Sequence, residues 1–166
     1  MFDFCSFFLF KYWIKYKSNH RNLYIFDLDN TLINTYPLLN LMNLKDAFKN
    51  ADLHIGMLNL FLHLQKNNEN VIILTSRNIK YFLITKSYIE KKISKKSPFF
   101  IVSDPSQKIK FIKYVLNKFN KITYFDDLSY NHENGEVKFY IEIISEINNL
   151  PIIYFGYDEI LKINNV

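Results

Sequence analysis

The stretch "YIFDLDNTLINT", residues 24–35, runs from a hydrophobic segment straight into two carboxylates, Asp27 and Asp29. Its apolar start is typical of a buried strand, and the two acids stand where that strand would emerge. Buried or crowded charges are costly unless another group compensates them. The stretch therefore predicts a strand whose exit faces a cation or another partner of the two carboxylates.

The same kind of apolar run occurs five times along the chain. These runs are rich in Ile, Val, Tyr and Phe, and they are continuous rather than alternating, as expected for strands covered on both faces. They are "NLYIFD" (22–27), "NVIILT" (70–75), "PFFIVS" (98–103), "KITYFD" (121–126) and "LPIIYF" (150–155).

Amphipathic segments separate the apolar runs. Their apolar residues recur every three or four positions, which is typical of helices packed on one face. The segments are "LLNLMNLKDAF" (38–48) continuing into "IGMLNLFLHLQ" (55–65), "IKYFLITKSYIEKKI" (79–93), "KIKFIKYVLNKF" (108–119) and "EVKFYIEIISEI" (136–147). This alternation predicts an α/β fold, a doubly wound, Rossmann-like sheet of about five parallel strands. No repeat or linker divides residues 21–166, so we expect one domain there.

Composition supports a single folded domain and excludes some classes of site. The chain has 166 residues, of which 49% are hydrophobic and 17% aromatic, enough for one substantial core. The lone Cys5 rules out an internal disulfide framework and suits a reducing, cytoplasmic compartment. The net charge of +5 is compatible with a polyanionic partner, although an AT-rich coding sequence would produce the same excess of Lys over Arg.

Residues 1–20 form an aromatic extension that we consider separately. The apolar part, residues 4–10, is shorter than the roughly 20 residues of a transmembrane helix. Asp3 precedes it, where a secretory signal would carry positive charge. We expect an extra helix or strand packed on the domain and no stable membrane span. The alternative is a weak interfacial anchor, in which Phe side chains and Trp13 insert beside Lys11, Lys15 and Lys17.

Polar side chains follow the predicted strands at the point where each one ends. In such a sheet, ligands bind beyond the carboxyl ends of the strands. Crowded carboxylates repel one another unless they are protonated or bridged by a cation, and an all-oxygen cluster suits Mg²⁺. The residues in question are Asp27 and Asp29, Thr75, Ser76 and Arg77, Ser103 and Asp104, and Asp126 and Asp127.

Four of these segments resemble the motifs of the haloacid dehalogenase (HAD) superfamily, in order and in type. They are "DLDNT" (27–31), "VIILTSR" (71–77), the helix-opening Lys108, and "YFDD" (124–127). The resemblance covers about residues 22–130 and implies a Mg²⁺-dependent phosphatase that works through an aspartyl-phosphate.

The resemblance also implies a role for each residue. Asp27 would be the nucleophile and Asp29 the general acid and base. Mg²⁺ would be held by Asp27, by the backbone carbonyl of Asp29, and by Asp126 or Asp127. The phosphoryl group would be bound by Thr75, Ser76 and Arg77 and by Lys108, with Lys110 as the alternative motif lysine. Each residue also has a structural explanation: a turn, a helix cap, or a surface charge.

The inserts at residues 36–69 and 78–97 are too short for a separate cap domain, so we expect an open site.

The closest resemblance is to the 3′-phosphatase domain of polynucleotide kinase-phosphatases, which implies a DNA or RNA end as substrate. That domain often has Arg after its aspartate pair, whereas this chain has "DDLSYN". Tyr36 or Tyr130 would stack a base. The alternatives are a small-molecule nucleotidase or phosphatase and a catalytically silent HAD-like binding module. The sequence predicts no oligomeric state.

Overall fold

The computed structural model describes residues 2–17, 22–39, 41–128 and 140–165. Its strands are β1 (Leu23–Phe26), β2 (Ile33–Asn34), β3 (Asp52–Leu53), β4 (Asn70–Ser76), β5 (Phe99–Val102), β6 (Ile122–Phe125) and β7 (Ile153–Phe155). Its α-helices are α1 (Phe2–Lys17), α2 (Tyr36–Leu39), α3 (Leu44–Asn50), α4 (Ile55–Lys66), α5 (Phe82–Tyr88), α6 (Ser106–Val115), α7 (Ile141–Asn148) and α8 (Tyr157–Asn164). A 3-10 turn (Ile79–Tyr81) precedes α5 and a π-helical segment (Ile89–Ile93) follows it.

The main sheet has five parallel strands in the order β5-β4-β1-β6-β7. The predicted α/β, doubly wound, parallel architecture is confirmed. The chain builds the sheet outward from β1 to β4 and β5, then returns to place β6 on the other side of β1. Strand order therefore reverses between β1 and β6, and this is where such sheets open a binding crevice.

Helices cover both faces of the sheet, which explains why the strands are continuously apolar. Ile25 belongs to one buried cluster together with residues of α1, α6 and α7. Its neighbour Phe26 points the other way and belongs to a second cluster with residues of α4, α5 and α8. β4 is buried along its length up to Thr75. Both faces of the central strands are thus removed from water.

The aromatic extension forms a helix that packs on the sheet. Phe10 and Ile14 of α1 are fully buried, and the Phe10 ring contacts Phe100 of β5 and Phe111 of α6. Trp13, which the anchor alternative placed in a membrane, is half-buried with its ring 6.4 Å from that of Phe100. Within the part of the chain that the structure describes, no helix has both the length and the apolar character needed to cross a membrane.

The amphipathic segments at residues 38–48 and 55–65 are helical but separate: α3 begins in the first segment, α4 covers the second, and an extended stretch lies between them. After α3, the chain extends at Ala51, and β3 pairs with β2 in a two-stranded antiparallel sheet. The His54 backbone N–H donates to the carbonyl of Leu32. These backbone pairings are tertiary, so they override the local helical pattern. The last predicted helix begins at Ile141; residues 136–139 lie outside the described part of the chain.

Candidate active site

The carboxyl ends of β1, β4 and β6 bring the predicted residues together at the switch point. Asp27 follows β1, Asp126 and Asp127 follow β6, and Thr75 lies near the end of β4. The Asp27 backbone N–H donates to the Phe125 carbonyl, which continues the sheet to the edge of the site. All four side chains are buried.

Lys108 enters this cluster from the first turn of α6. The exposed Asp104 accepts a hydrogen bond from the Ser106 N–H and thereby caps the start of that helix. The Lys108 Nζ lies 2.7 Å from Asp27 Oδ1 and 2.6 Å from Asp126 Oδ2, and the residue is only 1% exposed. Lys110 instead places its Nζ 4.9 Å from the centre of the Phe7 ring, away from the carboxylates. Lys108 is therefore the lysine of the site.

Asp27, Asp126 and Asp127 could hold a metal ion, because one carboxylate oxygen from each lies within 4.8 Å of the others. When all three carboxylates are ionised, they and the ammonium of Lys108 give the buried cluster a formal charge of −2. One divalent cation would neutralise it, and carboxylate oxygens are the ligands that Mg²⁺ prefers. The residues present therefore fit the predicted ion.

The pKa values reflect this excess of negative charge. Burial raises the pKa of Asp27 to about 7, against the opposing effect of the Lys108 charge. Burial, and then the charges of Asp126 and Asp27, raise the pKa of Asp127 well above its usual range. Burial opposes the charged form of Lys108, but Asp126 and Asp27 outweigh it and raise the lysine pKa. With only one lysine beside three buried carboxyl groups, the pKa values of Asp27 and Asp127 are thus shifted toward the protonated form.

Asp29 is held apart from this cluster by Arg77. Arg77 donates from Nε to Asp29 Oδ2 at 2.6 Å and from Nη2 to Asp29 Oδ1 at 2.5 Å. Its third nitrogen, Nη1, donates to Thr85 Oγ1 at 2.9 Å, and its guanidinium lies over the Phe48 ring. From the sequence we expected Arg77 to bind the substrate phosphate. In the structure its side chain is buried, and its three nitrogens donate hydrogen bonds to Asp29 and Thr85.

Thr75 carries a buried hydroxyl with no hydrogen-bond partner among the described residues. A buried polar atom left unpaired costs about 1–3 kcal/mol, and such atoms are expected where a ligand supplies the partner. Ser76, the last residue of β4, is half-buried beside it. Tyr36 begins α2 and is exposed, whereas Tyr130 lies outside the described residues.

Two further residues support the acids and were not assigned from the sequence. The Tyr124 hydroxyl donates to Asp126 Oδ2. Tyr124 is two residues before Asp126 on one strand, so period-two alternation could have predicted this contact. Asn30, at φ 53°, hydrogen-bonds Asp127 and accepts from Thr35 Oγ1 and the Tyr36 N–H at 3.1 and 3.0 Å. No local pattern indicated this role.

Comparisons of the chain with family models, with curated proteins and with solved structures find no match. Membership of the HAD superfamily therefore stays a prediction from the four motifs. The chemistry of the site is argued from its own geometry: a buried acidic triad, a lysine that contacts two of its members, an unpaired hydroxyl, and an oriented carboxylate nearby.

Proposed function

We propose that this protein is a Mg²⁺-dependent phosphomonoester hydrolase that works through an aspartyl-phosphate on Asp27. One observation carries the proposal: three buried carboxyl groups and only one lysine meet at the switch point of the sheet. A cluster built only for stability would not gather unbalanced charges, because their desolvation is costly.

Asp27 is suited to be the nucleophile. Lys108 donates to its Oδ1, which favours the ionised form and leaves Oδ2 to attack phosphorus. As the new O–P bond forms, the bond to the leaving oxygen breaks. Water then attacks the aspartyl-phosphate, releases phosphate and restores the carboxylate. One difficult hydrolysis is thereby divided into two easier steps.

Asp29 would transfer a proton in both steps. It would enter the reaction protonated, on an oxygen lone pair that the Arg77 hydrogen bonds do not use, and give this proton to the leaving oxygen in the first step. In the second step it would take a proton from the attacking water, which returns it to its starting form. Its side chain is 22% exposed, more than the triad, so it can reach both the leaving group and solvent water. Arg77 fixes its orientation through the two hydrogen bonds.

The phosphoryl group would be bound by Thr75 and Lys108. The Thr75 hydroxyl is a donor without a partner among the described residues, and the Lys108 ammonium offsets charge that develops on the phosphoryl oxygens. Asp27, Asp126 and Asp127 would hold Mg²⁺, which when bound would offset part of the negative charge of the cluster and of the phosphate, so that an anionic nucleophile could approach.

An accessible phosphate, such as the 3′ end of DNA or RNA, is the substrate class we propose first. Between β1 and β4 the described chain forms only the two-stranded sheet of β2 and β3, the short helices α2 and α3, and α4. Between β4 and β5 it forms only α5 and its flanking 3-10 and π-helical segments. This leaves no separate cap domain in the described ranges to enclose a small metabolite. Free mononucleotides are the competing substrates.

The decisive test is turnover of p-nitrophenyl phosphate with and without Mg²⁺. We expect Asp27→Asn, which keeps shape but removes the nucleophile, to abolish Mg²⁺-dependent turnover. Asp104→Asn is the matched control, because Asp104 lies at the same edge of the sheet but is exposed and only caps α6. An inactive wild type that still binds Mg²⁺ would support a silent binding module and contradict the proposal.

A substrate screen then separates the two substrate classes. It compares oligonucleotides that carry a 3′ or a 5′ phosphate with free nucleotides and small phosphomonoesters, each assayed with wild type and Asp27→Asn. We expect the highest kcat/KM for a 3′-phosphorylated end. A preference for mononucleotides would remove the nucleic-acid substrate and leave the hydrolase intact.

A further inference from the structure

Helix α1 has a second apolar face that the fold does not cover. Phe10 and Ile14 face the core, while four large side chains on the outer face remain more than half exposed. We call these the α1 stripe: Phe8 (62% exposed), Leu9 (59%), Tyr12 (58%) and Tyr16 (62%). Their spacing of three and four residues places them on one side of the helix, and the Tyr12 and Tyr16 rings lie 4.8 Å apart.

Four lysines lie along one border of the α1 stripe, and we call them the lysine border: Lys11 and Lys15 of α1, Lys110 of α6, and Lys118 in the turn that follows α6. The Nζ of Lys11 lies 4.8 Å from the Phe7 ring centre and 5.1 Å from that of Tyr114, which Lys118 also approaches at 4.9 Å. None of the four forms an ion pair with a carboxylate of the described residues. Their charge is thus available to an external anion.

A groove of about 450 Å³ lies between α1 and α6, where the stripe and the border meet. Phe8, Tyr12 and Tyr114 supply its aromatic wall, and Lys11, Lys15 and Lys118 supply its charge. No carboxylate of the described chain lines it. An apolar wall beside several ammonium groups matches a molecule with an apolar body and an anionic head.

We propose that α1 docks the protein on membrane surfaces that contain anionic phospholipids, with the stripe inserted among the acyl chains and the lysine border against the head groups. A helix lying in the interface needs an apolar face flanked by Lys or Arg, and anionic lipids attract such lysines. The proposal does not depend on the phosphatase reaction.

A single-stranded nucleic acid fits this surface less well. Bases bind by stacking on open aromatic faces, whereas ammonium groups cover the rings of Phe7 and Tyr114. Leu9 is aliphatic and offers no stacking face, yet it is as exposed as the aromatic members of the stripe. Apolar insertion uses all four side chains of the stripe.

The test is co-sedimentation of the full chain with vesicles of phosphatidylcholine alone and of phosphatidylcholine and phosphatidylserine in equal parts. We expect binding only to the anionic vesicles and loss of binding at high salt. Phe8→Ser with Leu9→Ser should weaken binding about tenfold or more, and Lys11→Gln with Lys15→Gln about fivefold per lysine. An unchanged thermal melt of each variant keeps folding separate from docking.

Matched controls come from elsewhere on the surface. Leu83→Ser changes a leucine that is 75% exposed on α5, and Lys91→Gln with Lys92→Gln changes exposed lysines of the π-helical segment; both should bind vesicles as wild type does. The proposal is overturned if wild type ignores anionic vesicles, or if the controls weaken binding as much. It is also overturned if the stripe and border variants leave vesicle binding unchanged and instead weaken binding to single-stranded oligonucleotides or self-association of the protein.

Discussion

Arg77 fixes Asp29 with two hydrogen bonds, one to each carboxylate oxygen, at 2.6 and 2.5 Å. The arginine follows β4 and the aspartate follows β1, so the pair joins two neighbouring strand ends. Thr85 of α5 and Phe48 of α3 in turn hold the guanidinium. The orientation of one partly exposed carboxylate thus depends, through Arg77, on contacts from α3 and α5.

Replacing Arg77 should slow the reaction only because the Asp29 carboxylate loses its fixed orientation. We expect Arg77→Met to lower kcat about tenfold or more, and Asp29→Asn to lower it about 10²- to 10⁴-fold, the usual contribution of a general acid–base group. The double variant should be no slower than Asp29→Asn, because the arginine acts only by orienting that carboxylate. Arg77→Lys should not restore the rate, since an ammonium cannot bind both oxygens in the same plane.

The comparison is made by steady-state kinetics on p-nitrophenyl phosphate. Losses that multiply in the double variant would show that Arg77 contacts the substrate, as the sequence interpretation first suggested.

Lys108→Met should destabilise the protein and strengthen metal binding. Removing the ammonium leaves Asp27 and Asp126 buried without their partner, which costs about 3–5 kcal/mol of the free energy of unfolding when no metal is present. The cluster then carries one more negative charge, so Mg²⁺ should bind more tightly and recover part of that loss. Urea unfolding with and without Mg²⁺, together with calorimetric titration, measures both effects.

Lys110→Met is the control, because Lys110 lies on the outer surface of the same helix. Equal destabilisation by the two variants would contradict a specific role for Lys108.

Thr75→Val should separate activity from stability. Valine keeps the shape and removes a buried hydroxyl that has no partner in the described chain. We expect the free energy of unfolding to stay constant or rise by about 1 kcal/mol, while kcat/KM falls about tenfold or more because a phosphoryl oxygen loses its donor. Thr75→Ser, which retains the hydroxyl, should stay close to wild type. A marked loss of stability in Thr75→Val would mean that the hydroxyl has a structural partner.

Tyr88 should make the fold sensitive to alkaline pH. Its hydroxyl donates to the Ala51 carbonyl at 2.6 Å, and burial raises its pKa to about 12, with Arg77 acting in the opposite sense. The unfolded tyrosine ionises near pH 10. Above that pH the unfolded state loses the proton first, so the free energy of unfolding falls by about 1.4 kcal/mol per pH unit until the folded pKa is reached.

Tyr88→Phe should remove the contribution of Tyr88 to this slope while losing one buried hydrogen bond, so the two proteins should differ less at pH 11 than at pH 9. Urea unfolding at both values measures the difference. Parallel pH profiles would show that Tyr88 does not contribute.

The strands and the acids of the site could be predicted because both depend on local sequence. A strand covered on two faces must be continuously apolar. The strands β1, β5, β6 and β7 each lie within an expected run, and β4 extends one residue beyond its run, to Ser76. The side chains that follow such strands meet at one edge whatever the detailed packing, which is why Asp27, Asp126 and Lys108 are found together.

Contacts that depend on the detailed path of a loop could not be predicted. Arg77 pairs with Asp29 only because the loop after β1 reaches the end of β4. In the same way, β3 forms because β2 offers it backbone partners, although its surroundings have a helical pattern. Period-two alternation along the chain could have predicted the contact of Tyr124 with Asp126. Asn is a residue that favours a left-handed backbone turn, but the partner that its side chain reaches from that turn depends on the surrounding fold.

Helix α1 also matters for anyone who shortens this chain. The segment before β1 looks dispensable in the printed sequence, yet Phe10 and Ile14 complete the same buried cluster as Phe100 and Phe111. A fragment that starts at β1 would present those rings to water and tend to precipitate. Expression tags are therefore better joined after α8 than substituted for the first helix.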